Sequence, residues 1–175
     1  MSAVDRRRRQ QSLDASLHAS GPSPADAATT AMDVLRRIVG ALRSADAASE
    51  ALLGVSSAQL FVLRELAKTE PLTIGELAQR TATAQSSVSE VVARLASKTL
   101  VVRQRSEIDR RRIDVSLSES GRTLVQRADE TVQEKLLAGF SRLPDSGQTA
   151  TAAGLQSWVV AAGLADIEAT MFFEP

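Results

Sequence analysis

Apolar positions keep a helical rhythm over most of this chain and fall into strict alternation only once. Between Ser23 and Gly54, the residues Ala28, Ala31, Leu35, Ile38, Leu42, Ala45 and Leu52 recur at heptad-like spacing. Ser23 is a natural cap for this helix, Pro24 suits its first position, and Asp26 puts negative charge in the first turn. The stripe is long, narrow and rich in small residues, which fits helix-on-helix packing either within one subunit or between two. Aromatic residues make up only 3% of the chain, too few for a broad core, and this favours the intersubunit reading. The first 22 residues show no periodicity and read as a disordered arm.

"SSAQLFVLRELAK" opens a second helix with a Ser56–Gln59 capping pattern and buries Leu60, Leu63, Leu66 and Ala67 before Pro71 stops it. "LTIGELAQR" repeats the pattern with Thr73 and Glu76 and buries Ile74, Leu77 and Ala78. After the turn "TATA", Val88, Val91, Val92 and Leu95 fall at i, i+3, i+4 and i+7. The opposite face collects Gln85, Ser86, Ser87, Ser89, Glu90 and Arg94. Small hydrogen-bonding side chains are poor interior helix formers, so their crowding here points to close approach of another polar surface. "LVVRQ" then reads as a strand and "SEID" as a turn. "RRRIDVSL" returns with Ile113, Val115 and Leu117 alternating against Asp114 and Ser116. Ser118 begins a helix with Leu124, Val125, Ala128, Val132, Leu136 and Phe140 on one face. "LPDSGQ" breaks it with an Asp145–Gln148 capping pattern, and a last helix buries Leu155, Trp158, Val159, Ala162 and Ile167. In this reading Trp158 belongs to a core rather than to a ligand cage.

Charge refines the pattern. The chain holds 21 Lys/Arg and 21 Asp/Glu, yet residues 72–127 carry 10 against 6 and residues 128–175 carry 2 against 7. A basic middle joined to an acidic end suggests an anion-binding module attached to something else. The block Arg6 to Arg9 is either an added attraction for phosphates or a solvated tail, the usual fate of such blocks. The absence of cysteine excludes disulfides, thiolate zinc sites and a thiol redox switch. His18, the single histidine, lies in the polar N-terminal segment, so neither a metal nor a cofactor is expected. No apolar run approaches the roughly 20 residues that span a bilayer, and no apolar stretch follows the N-terminal charges as in a secretory signal. The expectation is a soluble cytoplasmic protein with no membrane partner. It is not expected to be an enzyme, because no constellation of catalytic residues stands out.

Residues 56–117 thus run helix, short helix, tight turn, polar-faced helix and hairpin with an arginine-rich tip, the order of a winged helix-turn-helix. An α-helix fits the major groove of DNA, and its N-terminal residues meet base edges there. A hairpin beside it can set a basic tip on phosphates or in the adjacent minor groove. The stretch "LTIGELAQRTATAQSSVSEVVARLASKTLVVRQRSEIDRRRIDVSLSESG", residues 72–121, resembles the DNA-binding core of the MarR family of regulators. The matching pieces are "LT…ELA", "SSVSEVVARL", "LVVR", "DRR" and "VSLSESG". The flanking helices agree in position and length but carry no specific motif.

The resemblance implies a mainly α fold with a small β-wing, of the α+β class. Its expected parts are an arm (1–22), an N-terminal dimerisation helix (23–54), a winged helix-turn-helix lobe (55–118) and C-terminal dimerisation helices (119–175). It implies a homodimer, for which Leu35, Ile38, Leu42, Leu155, Trp158 and Val159 are the expected contacts, and double-stranded DNA as partner. By the resemblance, Asp109 holds Arg111 by an ion pair so that Arg111 enters the minor groove. Arg110 and Arg112 stay undecided between phosphate contact and ordinary surface. Gln85, Ser86, Ser87 and Ser89 fall where the family meets the major groove, with Glu90 and Arg94 on the same helix, and Arg103 lies near the phosphate backbone. Three positions depart from the pattern. Thr99 and Ala82 stand where glycines are usual, which predicts local strain. Glu90 stands where a basic side chain is frequent, able to accept from cytosine N4 but repelling phosphates. The function implied is a dimeric regulator, a repressor on a pseudo-palindromic operator whose affinity a small aromatic or phenolic ligand alters. The competing reading is a winged-helix protein-interaction module that no longer binds DNA, which Glu90 and the neutral total charge favour.

Overall fold

The computed structural model describes residues 23–106 and 112–172. The chain divides into two compact units, Met1–Gly40 and Ala41–Pro175. The division falls inside the first helix, α1 (Pro24–Leu53). In the first unit the Ser23 hydroxyl accepts from the Asp26 backbone N–H at 3.2 Å and donates to its carboxylate at 2.8 Å, the expected cap. Leu35 and Val39 are exposed along this stretch and Ile38 is half-buried. In the second unit α1 buries Leu42 and Ser49, leaves Leu52 76% exposed, and stops at Gly54, whose φ is +69°.

The second unit is built on α2 (Ser57–Lys68), β1 (Leu72–Thr73), α3 (Ile74–Thr81), α4 (Gln85–Ser97), β2 (Val101–Arg105) and β3 (Ile113–Leu117). Ser56 caps α2 by accepting from Gln59 N at 3.1 Å, while the Gln59 amide oxygen accepts from Lys98 Nζ at 2.9 Å. Thr73 and Glu76 form the full reciprocal capping box at the start of α3. Phe61, Leu63 and Leu66 from α2, Leu77 from α3, Val88, Val91, Val92 and Leu95 from α4, and Val115 from β3 are sealed in one core. Ala67, expected in that core, is exposed on the last turn of α2. Val115 sits on the central strand of a three-stranded antiparallel sheet ordered β1-β3-β2, facing Leu72 on one side and Arg103 on the other. The two-residue β1 was not expected, being too short to show an alternating pattern.

Three tight places hold the lobe in register. Ala82 and Thr99 are left-handed, with φ of 52° and 58°, where the sequence predicted strain from missing glycines. Thr99 is held there from both sides: its hydroxyl donates to Lys98 O at 2.7 Å and its carbonyl accepts from the Ser118 hydroxyl at 2.7 Å. Gly121 passes so close to the Leu100 carbonyl that a Cβ would lie 2.1 Å from that oxygen.

The C-terminal part corrects the sequence reading. The single helix expected from Ser118 to Phe140 is two, α5 (Glu119–Gln126) and α6 (Val132–Ser141). Thr131 caps α6 in a second reciprocal box with Glu134, the same Thr-x-x-Glu signature as Thr73–Glu76, and it interrupts an otherwise continuous apolar stripe. Leu124, Val125, Ala128 and Leu137 pack against the core, but Leu136 and Phe140 do not. α7 (Asp145–Ala161) is preceded by Pro144 as N-cap, without the expected Asp145–Gln148 box; the Gln148 amide instead donates to Leu143 O at 2.9 Å. Leu155, Trp158, Val159, Ala162 and Ile167 are exposed, not buried. Periodicity reported that this face is apolar, but it carries no information on what covers it.

One carboxylate joins α6 to α2. Glu134, buried, accepts from Thr131 N at 2.9 Å, Arg64 Nε at 2.5 Å and Lys68 Nζ at 2.9 Å, and Lys68 also reaches Glu65 at 2.5 Å. Burial alone would raise the Glu134 carboxyl, but the Thr131 N–H and the two cations outweigh it and hold it below its ordinary value. Burial likewise opposes the charge on Lys68, yet its bonds to Glu65 and Glu134 raise it above the ordinary lysine value. A lowered carboxyl stabilises the fold above the unfolded value of about 4.3 and loses that contribution as pH falls through its folded value. A raised lysine contributes fully below its unfolded value and loses it as pH rises through its folded one.

Three outcomes follow for stability. Glu134→Gln should lower unfolding free energy at pH 7 by about 1–3 kcal/mol in urea titration, and the gap from the parent should narrow at pH 3. Thr99→Gly should raise stability by about 0.5–1 kcal/mol. Gly121→Ala should lower it by about 1–3 kcal/mol or more, because backbone has to move.

Candidate nucleic-acid interface

A three-residue turn, Ala82 to Ala84, aims α4. Ala82 N donates to Gln79 O at 3.3 Å and Thr83 N to Ala78 O at 3.0 Å, which closes the end of α3 through a left-handed residue. Ala84 then serves as N-cap of α4 without any side-chain cap bond. The first-turn amides of α4 therefore keep the positive end of the helix dipole unanswered by a cap.

From that turn α4 sorts its residues by the core it covers. Val88, Val91, Val92 and Leu95 point inward, and Gln85, Ser86, Ser89 and Glu90 are exposed. Ser87 departs from the sequence reading. It was placed on the polar face but is 5% exposed, because its position one turn before Val91 belongs to the inner stripe. Arg94 is half-buried. Gln85 also lies against the start of α3, where a Cβ on Gly75 would come within 3.6 Å of its amide nitrogen.

The hairpin stands beside this helix. Val101 pairs with Leu117, Arg103 with Val115 and Arg105 with Ile113, and Ser106 N donates to Arg112 O at 3.0 Å. Arg103 is exposed on β2, as is Arg105, which the sequence reading passed over. The signal was present: two residues apart on a strand, the two arginines share one face. Arg112 immediately precedes β3, and its guanidinium meets Glu76 Oε1 at 3.2 Å. Glu76 is held below the ordinary carboxylate range first by the Thr73 backbone N–H, then by the Thr73 hydroxyl and Arg112. An exposed pair of this kind is worth little to stability. It does partly neutralise Arg112 and sets that residue apart from Arg103 and Arg105. Asp109, Arg110 and Arg111, with the expected Asp109–Arg111 ion pair, lie outside the described residues, as does the Arg6–Arg9 block.

The arrangement brings small polar donors and acceptors on the N-terminal half of a helix beside a basic edge strand. Gln85 and the serines present groups able to bond base edges or phosphates, and Arg103 and Arg105 supply cations able to contact a phosphate backbone. Among the described residues, no helix is long and apolar enough to cross a membrane.

Comparison with known proteins agrees with this lobe. Residues 53–112 match the family model described as the MarR family. The chain is 43% identical over 68 residues to the HTH-type transcriptional repressor MdtR of Bacillus subtilis, covering 39% of this chain and 44% of that protein. It is 42% identical over 89 residues to an HTH-type transcriptional regulator of Mycobacterium bovis, Mb0904, covering 51% of this chain and 62% of that one. The chain thus spans between 44% and 62% of the length of the curated relatives it matches. Among solved structures, the transcriptional regulator BldR of Sulfolobus solfataricus superposes with a TM-score of 0.54 at 23% identity, over 80% of this chain and 99% of its own. BpsR of Bordetella bronchiseptica, whose DNA binding is regulated by 6-hydroxynicotinic acid, superposes at 0.51 and 22% identity, over 74% of this chain and 98% of its own. These two likenesses bear on the fold alone. The winged lobe, the motif run within it and the match of residues 53–112 to the MarR family model all fall on the same part of the chain.

Proposed function

We propose that this chain is a homodimeric, DNA-binding transcriptional regulator, a repressor that reads a pseudo-palindromic operator. The observation that carries the reading is the division of α4. An apolar stripe fixes the helix in the core while Gln85, Ser86, Ser89 and Glu90 face outward beside Arg103 and Arg105. In this reading α4 enters the major groove and the hairpin follows the adjacent backbone, with Arg111 at its tip in the minor groove, held by Asp109. Arg110 adds a phosphate contact, and Arg94 steadies the helix from its half-buried position. Ser87, being buried, supports the helix rather than reading bases.

The parts proposed are an arm at 1–22, dimerisation helices at 23–54 and 119–175, and the DNA-binding lobe at 55–118. Dimerisation is supported by apolar side chains that each segment leaves open: Leu35 at 40% in the first, and Leu155 at 55%, Trp158 at 38% and Val159 at 40% in the second. Ile38 joins this set; Leu42, sealed within its own chain, does not. A symmetric dimer would set its two recognition helices about one DNA turn apart. A ligand that prefers one spacing of the lobes would shift operator affinity by its difference in affinity between the two states. The regulation of BpsR by 6-hydroxynicotinic acid is the precedent for a small aromatic ligand.

Selection of binding sequences from genomic DNA by the purified protein should return an inverted repeat. Affinity for it should fall steeply between 50 and 200 mM salt, as about six or more phosphate contacts require. Arg103→Ala should weaken binding evenly across sequences and reduce the salt slope by about 1, while Arg111→Ala should cost about tenfold. Recovery of no repeat, with binding indifferent to salt and to both substitutions, would establish the protein-interaction reading, which the exposed carboxylate of Glu90 on α4 favours.

A further inference from the structure

One carboxylate of the lobe is engaged neither by the core nor by an ion pair. Between Val55 and Arg105 the chain carries four: Glu65, Glu70, Glu76 and Glu90. Glu65 meets Lys68 at 2.5 Å, Glu70 meets Arg122 and the Leu117 N–H, and Glu76 meets Arg112 and the Thr73 N–H. Glu90 is exposed on the outward face of α4, and its carboxylate has no hydrogen bond or ion pair among the described residues.

Helix electrostatics does not account for a carboxylate at that position. Glu90 is the sixth residue of α4, past the first turn in which the helix dipole favours an anion. Ser86 lies one turn before it, and Ser89 is its exposed neighbour. Where a DNA backbone runs beside Arg103 and Arg105, this carboxylate repels it and lowers affinity for every sequence alike. Only a hydrogen-bond donor on the groove floor offsets that repulsion. In the major groove two bases offer one, N4 of cytosine and N6 of adenine. Adenine sets its N7 acceptor next to the amino group, an arrangement that opposes a carboxylate and suits an amide. Cytosine has no such neighbour.

We propose that Glu90 is the specificity-determining residue of α4: its carboxylate accepts from N4 of a cytosine in the major groove, at the same place in each half-site. The inference rests on the DNA-binding reading and deepens it by naming a base that the operator holds. Glu90 acts in two directions. A duplex with cytosine at that place supplies a charge-assisted hydrogen bond. One with thymine or guanine there meets the carboxylate with an acceptor, O4 or O6, and is rejected. Ser86 and Ser89 cannot make that distinction, because a hydroxyl both donates and accepts.

The test takes the full-length parent, Glu90→Ala and Glu90→Gln through sequence selection on a randomised duplex library. Each protein is then titrated by fluorescence anisotropy on single-base variants of the parent's repeat. The parent should keep a C·G pair at one symmetrically placed position, and replacing it should weaken binding by about 5- to 100-fold. Glu90→Ala should reduce that preference to within about threefold while preferences elsewhere in the repeat hold. Glu90→Gln should move it to adenine, which an amide reads through N6 and N7. Both variants should bind an unrelated duplex more tightly than the parent, by about 2- to 5-fold at low salt. Circular dichroism should be unchanged, since the side chain is exposed and both replacements are good helix formers. An inverted repeat with the same base preferences for all three proteins overturns the assignment of Glu90 and leaves the regulator standing. So does a loss of affinity in both variants that is equal across all sequences, the mark of a role in holding the helix. No repeat from the parent overturns the regulator and this assignment with it.

Discussion

The inner stripe of α4 sets the terms for everything the lobe presents outward. Val88, Val91, Val92 and Leu95 are sealed in the core on a helix that packs against α2, α3 and β2, and burial of each contributes on the order of 1.5–3 kcal/mol. Rotating the helix by one residue would turn that stripe about 100° away from the core and lose much of this. The same burial therefore fixes which side chains face away from the core. Gln85, Ser86, Ser89 and Glu90 are outward because the valines are inward, and Ser87 is lost to the surface for the same reason. The polar face needs no stabilising role of its own, which is why residues with poor helix propensity are tolerated on it.

A constraint of a different kind governs the joints. Ala82 and Thr99 take left-handed backbones that glycine would adopt more cheaply, and Gly121 is small because the Leu100 carbonyl leaves no room. At both left-handed positions hydrogen bonds hold the backbone in place: Thr83 N to Ala78 O at the first, Ser118 Oγ to Thr99 O at the second. These joints bracket α4, one before it and one after. Glu134 adds a third tie by binding Arg64 and Lys68 of α2, which seats α6 against the lobe rather than letting it run on from α5.

Much of this was legible in the sequence, and the limits of legibility have particular causes. The stripe of α4, the hairpin alternation and the Thr73–Glu76 box each depend on neighbours a few residues away, so local pattern revealed them. The break before α6 is equally local, but an apolar stripe runs across its Thr131–Glu134 box and masks it in the pattern. β1 is two residues long, below the length at which alternation means anything. Ser87 is a small polar residue at an inner-stripe position, which a stripe defined by apolar residues alone does not include. The apolar faces of α1 and α7 were recognised as apolar, but cover depends on elements or partners that the pattern does not name. The partners of Arg112 and Gln133, Glu76 and Ser57, lie 36 and 76 residues away and could not be read from spacing.

Charge is apportioned in a way that separates support from presentation. Arg64 and Lys68 meet carboxylates around Glu134, Arg122 meets Glu70, and Arg112 meets Glu76. Glu70 also accepts from the Leu117 backbone N–H at 2.6 Å, so its pair with Arg122 fastens β3 to α5. Each of these cations closes a joint of the lobe. Arg103 and Arg105 stand exposed along the β2 edge, with no carboxylate partner among the described residues. A positive surface made from cations already held in ion pairs would be weak, since each paired carboxylate offsets the field of its arginine. The basic character of residues 72–127 therefore does not act as a uniform patch. It is concentrated on the edge strand and, in the proposed reading, on the wing tip, which is where a phosphate backbone beside α4 would run.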